Sequence, residues 1–214
     1  MPAGIRGLTT GQRAALLLSE CQRGMLDPEV AVNPALAGQA CERGIVDKIA
    51  ALATACRASG VPVIHNTYVP PAGFVGYVVN NAINARVLRD GRLQPGSVYV
   101  EIPSALAPQE GDIRIERSAG LSLFHETALD TYLSRFEIET VILVGVSTNI
   151  ALFGAALEAV NRGYQVVLAE DCSAGATKET HRFQVEEQFP LLAAVVDSTA
   201  IVRELRNNRI SIAH

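Results

Sequence analysis

The sequence predicts a three-layer α/β fold: a doubly wound, parallel six-stranded sheet with helices on both faces, in a single domain over residues 1–214. Three observations predict it. Short runs of consecutive apolar residues recur along the chain, as expected of strands buried on both faces. Stretches with apolar residues at helical spacing alternate with them, which is the pattern of βαβ units joined by right-handed crossovers. The composition, 49% apolar and 19% charged over 214 residues, supplies enough buried surface for one substantial core.

The elements follow in order. Residues 14–18 form a first, fully buried strand that breaks at Ser19, Glu20, Cys21 and Gln22. Residues 23–40, with Pro28 and Pro34, read as loop. Ile45, Ile49, Leu52 and Cys56 recur at helical spacing, and Ser59, Gly60 and Pro62 stop that helix. A second strand over 61–64 ends in His65, Asn66 and Thr67. Residues 70–111, rich in Gly, Pro and Asn, read as a long irregular segment of the kind used for lids or binding loops. A third strand covers 112–116, and Thr127 caps a helix to about residue 136. A fourth strand covers 141–144, followed by a helix from Thr148 to Gly163. Residues 165–169 form a fifth strand, 177–188 a helix, 193–196 a sixth strand and 198–205 a last helix.

Composition excludes several function classes. A net charge of -4 with no run of basic residues argues against a nucleic-acid or anionic-membrane surface. No apolar stretch is long enough to span a bilayer. Met1, Pro2, Ala3 and Gly4 lack a basic segment followed by an apolar one, which predicts no signal peptide. Cys21, Cys41, Cys56 and Cys172 have no CxxC spacing, which suits reduced thiols in a cytoplasm better than disulfides or a zinc site. No glycine-rich phosphate loop appears. The expectation is a small-molecule substrate with no cofactor and no metal.

Polar residues gather where strands end, and in open α/β sheets these ends converge on one crevice. Glu20, His65, Arg117, Ser147, Thr148 and Glu170 are such residues. Asn80, Asn81, Asn84 and Arg86, in the long segment, could cover the crevice and recognise a polar ligand. Each has a bland alternative as a cap, a turn residue or a satisfied core group. The stretch Gly145, Val146, Ser147, Thr148, Asn149, Ile150, Ala151 is a strand-to-helix turn whose free amides can hold developing negative charge.

That turn resembles the Gly-Val-x-Thr-x-x-Cys turn of the isochorismatase-like cysteine hydrolases. The similarity continues through Ala156 to Val160, Asn161 to Tyr164, Gln165 to Leu168, and Glu170 with Asp171. The strand ending Ser19, Glu20, Cys21, Gln22 is similar to the family's first strand, which ends in Asp-x-Gln. Ser122, Leu123 and Phe124, then Thr127 to Asp130, look like its Ser-Ala-Phe and Thr-x-Leu element. The resemblance implies strand order 3-2-1-4-5-6, a cis Val146–Ser147 peptide and a homodimer or homotetramer. It also implies a triad of Asp, Lys and Cys, and here all three positions differ. Glu20 stands at the aspartate, Arg117 or Ser118 at the lysine and Ala151 at the cysteine; Lys48 and Lys178 match neither motif. Cys21 and Cys172 are the cysteines nearest strand ends that could replace the nucleophile.

Isochorismatases of this superfamily hydrolyse a vinyl ether without the cysteine, by protonation from a carboxylic acid. The expectation is therefore a hydrolase acting on a small anionic metabolite by acid–base chemistry at Glu20. Arg117 would anchor an anion or hold Glu20 ionised, and His65, Asn81, Ser147, Thr148 and Ala151 would contact substrate. The other reading is an inactive ligand-binding or scaffold homologue in which Glu20 only pairs with Arg117.

Overall fold

The computed structural model describes residues 4–8 and 11–212. Six strands, β1 (Ala14–Ser19), β2 (Val63–Tyr68), β3 (Ile113–Arg117), β4 (Thr140–Val146), β5 (Gln165–Ala174) and β6 (Ala194–Val196), form one sheet. Every neighbouring pair is parallel and the order is β3-β2-β1-β4-β5-β6, as expected. The chain winds outward in both directions from β1, so the switch point lies between β1 and β4, and a crevice opens at the C-terminal ends there.

Among the described residues eight α-helices flank the strands: α1 (Arg23–Leu26), α2 (Pro34–Glu42), α3 (Ile45–Ala58), α4 (Ala82–Asp90), α5 (Leu129–Arg135), α6 (Ala151–Asn161), α7 (Lys178–Phe183) and, after β6, α8 (Ser198–Ile212). Alternation along β1 divides the core in two. Leu16 and Leu18 point to one face, against Leu36, Ile49 and Leu52 of α2 and α3 and Ile201 of α8. Ala15 and Leu17 point to the other, against Leu129 and Leu133 of α5 and Leu152 and Ala156 of α6. Leu16, Leu17 and Leu18 are almost wholly buried, and each contributes on the order of 2 kcal/mol by leaving water.

The structure corrects several boundaries. Residues 23–40 are not loop: Asn33 accepts the Leu36 amide and Pro34 opens α2, the expected N-cap and first-turn chemistry. The long segment 70–111 carries α4, capped by Asn81 at one end and by left-handed Gly91 (φ 73°) at the other. The helices after the third and fourth strands begin at Leu129 and Ala151, later than Thr127 and Thr148. Strands β2 and β5 run four and five residues past their expected ends, because Asn66, Thr67 and Ser173 are polar yet buried and paired within the sheet. Among the described residues no helix is long and apolar enough to cross a membrane.

Candidate active site

The crevice at the β1–β4 switch point holds a cavity of about 240 Å³. Glu20 reaches it because the strand ends at Ser19 and the next residue turns sharply, with φ 50°. That left-handed conformation is uncommon for a residue with a side chain. The Glu20 amide donates to Asn66 O at 2.9 Å, which ties the turn to β2. Gly145 makes room beside it: a Cβ there would stand 2.3 Å from Ser19 O and 2.9 Å from the Cys21 thiol.

Arg117, the last residue of β3, is the cationic partner. Its side chain is 1% exposed and that of Glu20 is 15% exposed. One Arg117 nitrogen, Nη2, donates to Glu20 Oε1, and Nη1 donates to Ala119 O at 3.1 Å and to Gly120 O. The guanidinium also lies over the Tyr68 ring, 4.7 Å from its centroid. Burial pushes the Glu20 carboxyl above the usual carboxylate range, and the charge and hydrogen bond of Arg117 pull against that shift without reversing it. Among the described residues Glu20 Oε2 has no hydrogen-bond partner. Arg117 is therefore committed to Glu20 and two carbonyls, not free as an anion anchor. Ser118 lines an adjoining groove that shares Gly120, Leu121, Asn149 and Ile150 with the cavity.

The other side of the site is the β4–α6 turn. The Val146–Ser147 peptide is cis, as the resemblance implied. Ser147, Asn149, Ile150 and Ala151 all line the cavity. Among the described residues the N–H groups of Asn149 and Ala151 have no acceptor, whereas Ile150 N–H donates to Ser147 O at 3.2 Å. Two orphan donors at the start of a helix can hold an electron-rich oxygen. The remaining wall is mostly apolar, from Met25, Leu36, Val87 and Leu93, with Arg86 at the same cavity. Among the described residues Arg86 forms no ion pair or hydrogen bond. Asp90, also in the lining, is bound to Arg92 at 2.7 Å.

Four expected site residues thus line one cavity: Glu20, Arg117, Ser147 and Ala151. Three do not line it. His65 lies inside β2, buried, with Nε2 3.1 Å from Asp112 Oδ2; Asp112 also pairs with Arg57 at 2.7 Å. This trio joins β2, the residue preceding β3 and α3, and the longer β2 strand is why His65 is not at its end. Asn81 accepts the Asn84 amide at 2.9 Å as the cap of α4 and borders only the neighbouring groove. Thr148 is wholly buried, its hydroxyl 3.2 Å from His181 Nδ1.

No replacement thiol reaches the cavity lining. Burial pushes the Cys21 thiol well up, and the Cys172 thiol up to about 12. Among the described residues no three His, Cys, Asp or Glu side chains gather as a metal ion would need. Sequence reasoning passed over Tyr68, because β2 was ended too early, and Leu93, which carries no chemical signature.

A parallel sheet of this order, with an acid, a buried cation and a helix turn meeting at its switch point, has the layout of the cysteine hydrolase superfamily. The chain belongs to the isochorismatase family: the Isochorismatase domain model matches residues 14–200. It is 30% identical over 198 residues, 89% of this chain and 95% of the relative, to the uncharacterized isochorismatase family protein YecD of Escherichia coli O157:H7. It is 24% identical over 201 residues, 91% of this chain and 89% of the relative, to the maleamate amidohydrolase of Pseudomonas putida. A crystal structure of a cysteine hydrolase from Pseudomonas syringae pv. phaseolicola superposes with a TM-score of 0.82 at 22% identity, over 97% of this chain and 100% of that one.

Proposed function

We propose that the protein is a cofactor-free hydrolase in which Glu20 is a general acid toward a small anionic substrate, with no cysteine nucleophile. The observation that carries the reading is the division of labour on the Glu20 carboxyl. Oε1 takes the Arg117 hydrogen bond, which leaves Oε2 of this cavity-lining residue as the oxygen to carry a proton. Burial raises the pKa of this acid and so favours the protonated form that a general acid needs. Arg117 then stabilises the carboxylate left behind, so the two groups cooperate across one proton transfer.

On a vinyl ether the steps balance as follows. Glu20 protonates the terminal carbon of the double bond, and the oxygen-stabilised cation takes up water. The hemiketal collapses to an alcohol and a ketone, and a water proton returns to Glu20. The Asn149 and Ala151 amides hold a substrate oxygen, and Arg86, the uncommitted cation of the lining, pairs with the substrate's negative charge.

A simple probe is 2-methoxyprop-2-enoate, whose hydrolysis yields pyruvate and methanol. The wild-type protein is expected to release pyruvate, and Glu20→Gln to lower kcat by about 10²–10⁴-fold while still binding the probe. Full turnover in Glu20→Gln, or none in the wild type on this and larger carboxylated enol ethers, would sink the reading. The second outcome favours a ligand-binding homologue.

A further inference from the structure

Four side chains that take no part in lining the cavity form a continuous polar chain behind its turn. Arg43, which caps the C-terminus of α2, donates from Nε to Ser173 O at 2.8 Å and from Nη2 to Glu170 Oε1 at 2.6 Å. Glu170 Oε1 also meets His181 Nε2 of α7 at 3.0 Å. His181 Nδ1 lies 3.2 Å from the hydroxyl of Thr148. Thr148 and His181 are both buried, at 0% and 4% exposure. With Nε2 donating to a carboxylate, Nδ1 of the neutral ring is an acceptor and the Thr148 hydroxyl donates to it.

Hydroxyl, imidazole and carboxylate are the components of a nucleophilic triad, but Thr148 does not line the cavity and its hydroxyl cannot attack a substrate there. What the chain does reach is the backbone of the turn. Thr148 is held twice, by its amide on Ala174 O at 2.9 Å and by its hydroxyl on His181. Asn149 is held by the Ala176 amide on Oδ1 at 3.1 Å. Packing leaves no slack: a Cβ on Gly175 would stand 2.8 Å from the Thr148 hydroxyl and 3.0 Å from His181 Cα. The next unpaired amides along the chain, those of Asn149 and Ala151, belong to residues lining the cavity.

We infer that His181, braced by Glu170 and Arg43, is a positioning residue that acts through the Thr148 hydroxyl to aim the Asn149 and Ala151 amides at substrate. The kinetic part rests on the hydrolase reading above; the structural part does not. A donor pair aimed at the reacting group contributes to kcat more than to KM, and a misplacement of about 1 Å costs on the order of a hundredfold.

The test is Thr148→Val, which keeps the shape and removes the hydroxyl, with Thr148→Ser to restore it. Two readouts are taken: the amide resonances of Asn149 and Ala151 in the ligand-free protein, and kcat and KM on 2-methoxyprop-2-enoate. Thr148→Val is expected to move both amide resonances and to lower kcat about 10- to 100-fold, with KM within about twofold; Thr148→Ser is expected to recover both. Unmoved Asn149 and Ala151 resonances in a folded Thr148→Val protein would overturn the inference whether or not the probe is turned over. So would an unchanged kcat where the wild type is active, or a loss that Thr148→Ser does not rescue. Failure of the hydrolase reading appears separately, as an inactive wild type or an active Glu20→Gln.

Discussion

The molecule holds the same chemical pair, a glutamate against an arginine, once just past the end of β1 and once within β5, and the two carboxyls are shifted in opposite directions. Glu20 with Arg117 has its carboxyl pushed up by burial. Glu170 with Arg43 has its carboxyl held down at about 2 by the hydrogen bond from His181, with Arg43 adding to it. The arginine cannot be the deciding element, since both have one. Glu20 is 15% exposed with a single side-chain partner, whereas Glu170 is 33% exposed and has two. A more exposed carboxylate with two donors is favoured in its ionised form and serves as an anchor; a more buried one with a single donor is shifted toward its protonated form, which a general acid needs.

After the loss of the acid itself, the largest expected effect comes from removing the cation of the first pair. Arg117→Met leaves the carboxylate formed on proton transfer without its partner. Removing a donor that stabilises charge formed in the transition state costs on the order of 10²–10³-fold, so kcat on 2-methoxyprop-2-enoate is expected to fall about a hundredfold. The same substitution removes the lowering influence on Glu20, whose pKa rises further. Activity needs the protonated acid, so the limb on which activity falls with rising pH shifts to higher pH. A pH series of kcat checks both, and a loss with an unshifted limb would show that Arg117 does not act through Glu20.

The second pair predicts a change in stability. The folded pKa of Glu170 lies below its ordinary value, so its contribution is present above pH about 4.5 and is lost as pH falls through about 2. At face value the shift corresponds to about 3 kcal/mol; with a third of the side chain exposed, about 1–2 kcal/mol is the better expectation. Glu170→Gln should be less stable than wild type by that amount at pH 7 in urea, and the gap should narrow below pH about 4.5 and close as pH falls through about 2. A gap that persists in acid would mean that packing, not charge, holds the anchor.

The parts of this contrast differ in how legible they were. Glu20, Arg117, Ser147 and Ala151 end or follow strands β1, β3 and β4, and the parallel sheet brings those ends together. Apolar runs define the strands, so this convergence could be reasoned from residue types, whereas the order of the strands followed from the family resemblance. His181 could not: it sits mid-helix after β5, and its role depends on a ring orientation that no spacing encodes. His65 was misplaced because β2 continues through the buried polar residues Asn66 and Thr67. α2 and α4 were legible in principle, through Asn33 with Pro34 and through Asn81 with Gly91, but their apolar stripes are short.

Arg86 gives a smaller effect on the first region alone. It lines the cavity without an ion pair among the described residues, so Arg86→Gln should remove substrate binding energy and leave proton transfer untouched. KM for 2-methoxyprop-2-enoate is expected to rise about tenfold with kcat within about twofold, and the methyl ester of the probe should show no such change. An equal loss on acid and ester would assign Arg86 to the fold of α4.

The smallest expected effect is none at all, and it separates this site from one built on a thiolate. The nucleophile of a thiol reaction is the ionised sulfur, and three of the four cysteines are buried with their thiols pushed up: Cys21 the furthest, Cys56 and Cys172 to about 12. Only Cys41, on α2, is exposed. Iodoacetamide applied to the folded protein at pH 7.5 should therefore add one carbamidomethyl group, at Cys41, and leave turnover of 2-methoxyprop-2-enoate where it was. Peptide mass mapping alongside the activity assay makes the result decisive. If activity falls in step with modification of Cys21 or Cys172, and the probe protects that residue, a sulfur beside the Glu20–Arg117 pair is doing chemistry. The two glutamates would then differ for a reason other than the one drawn from their burial and partners.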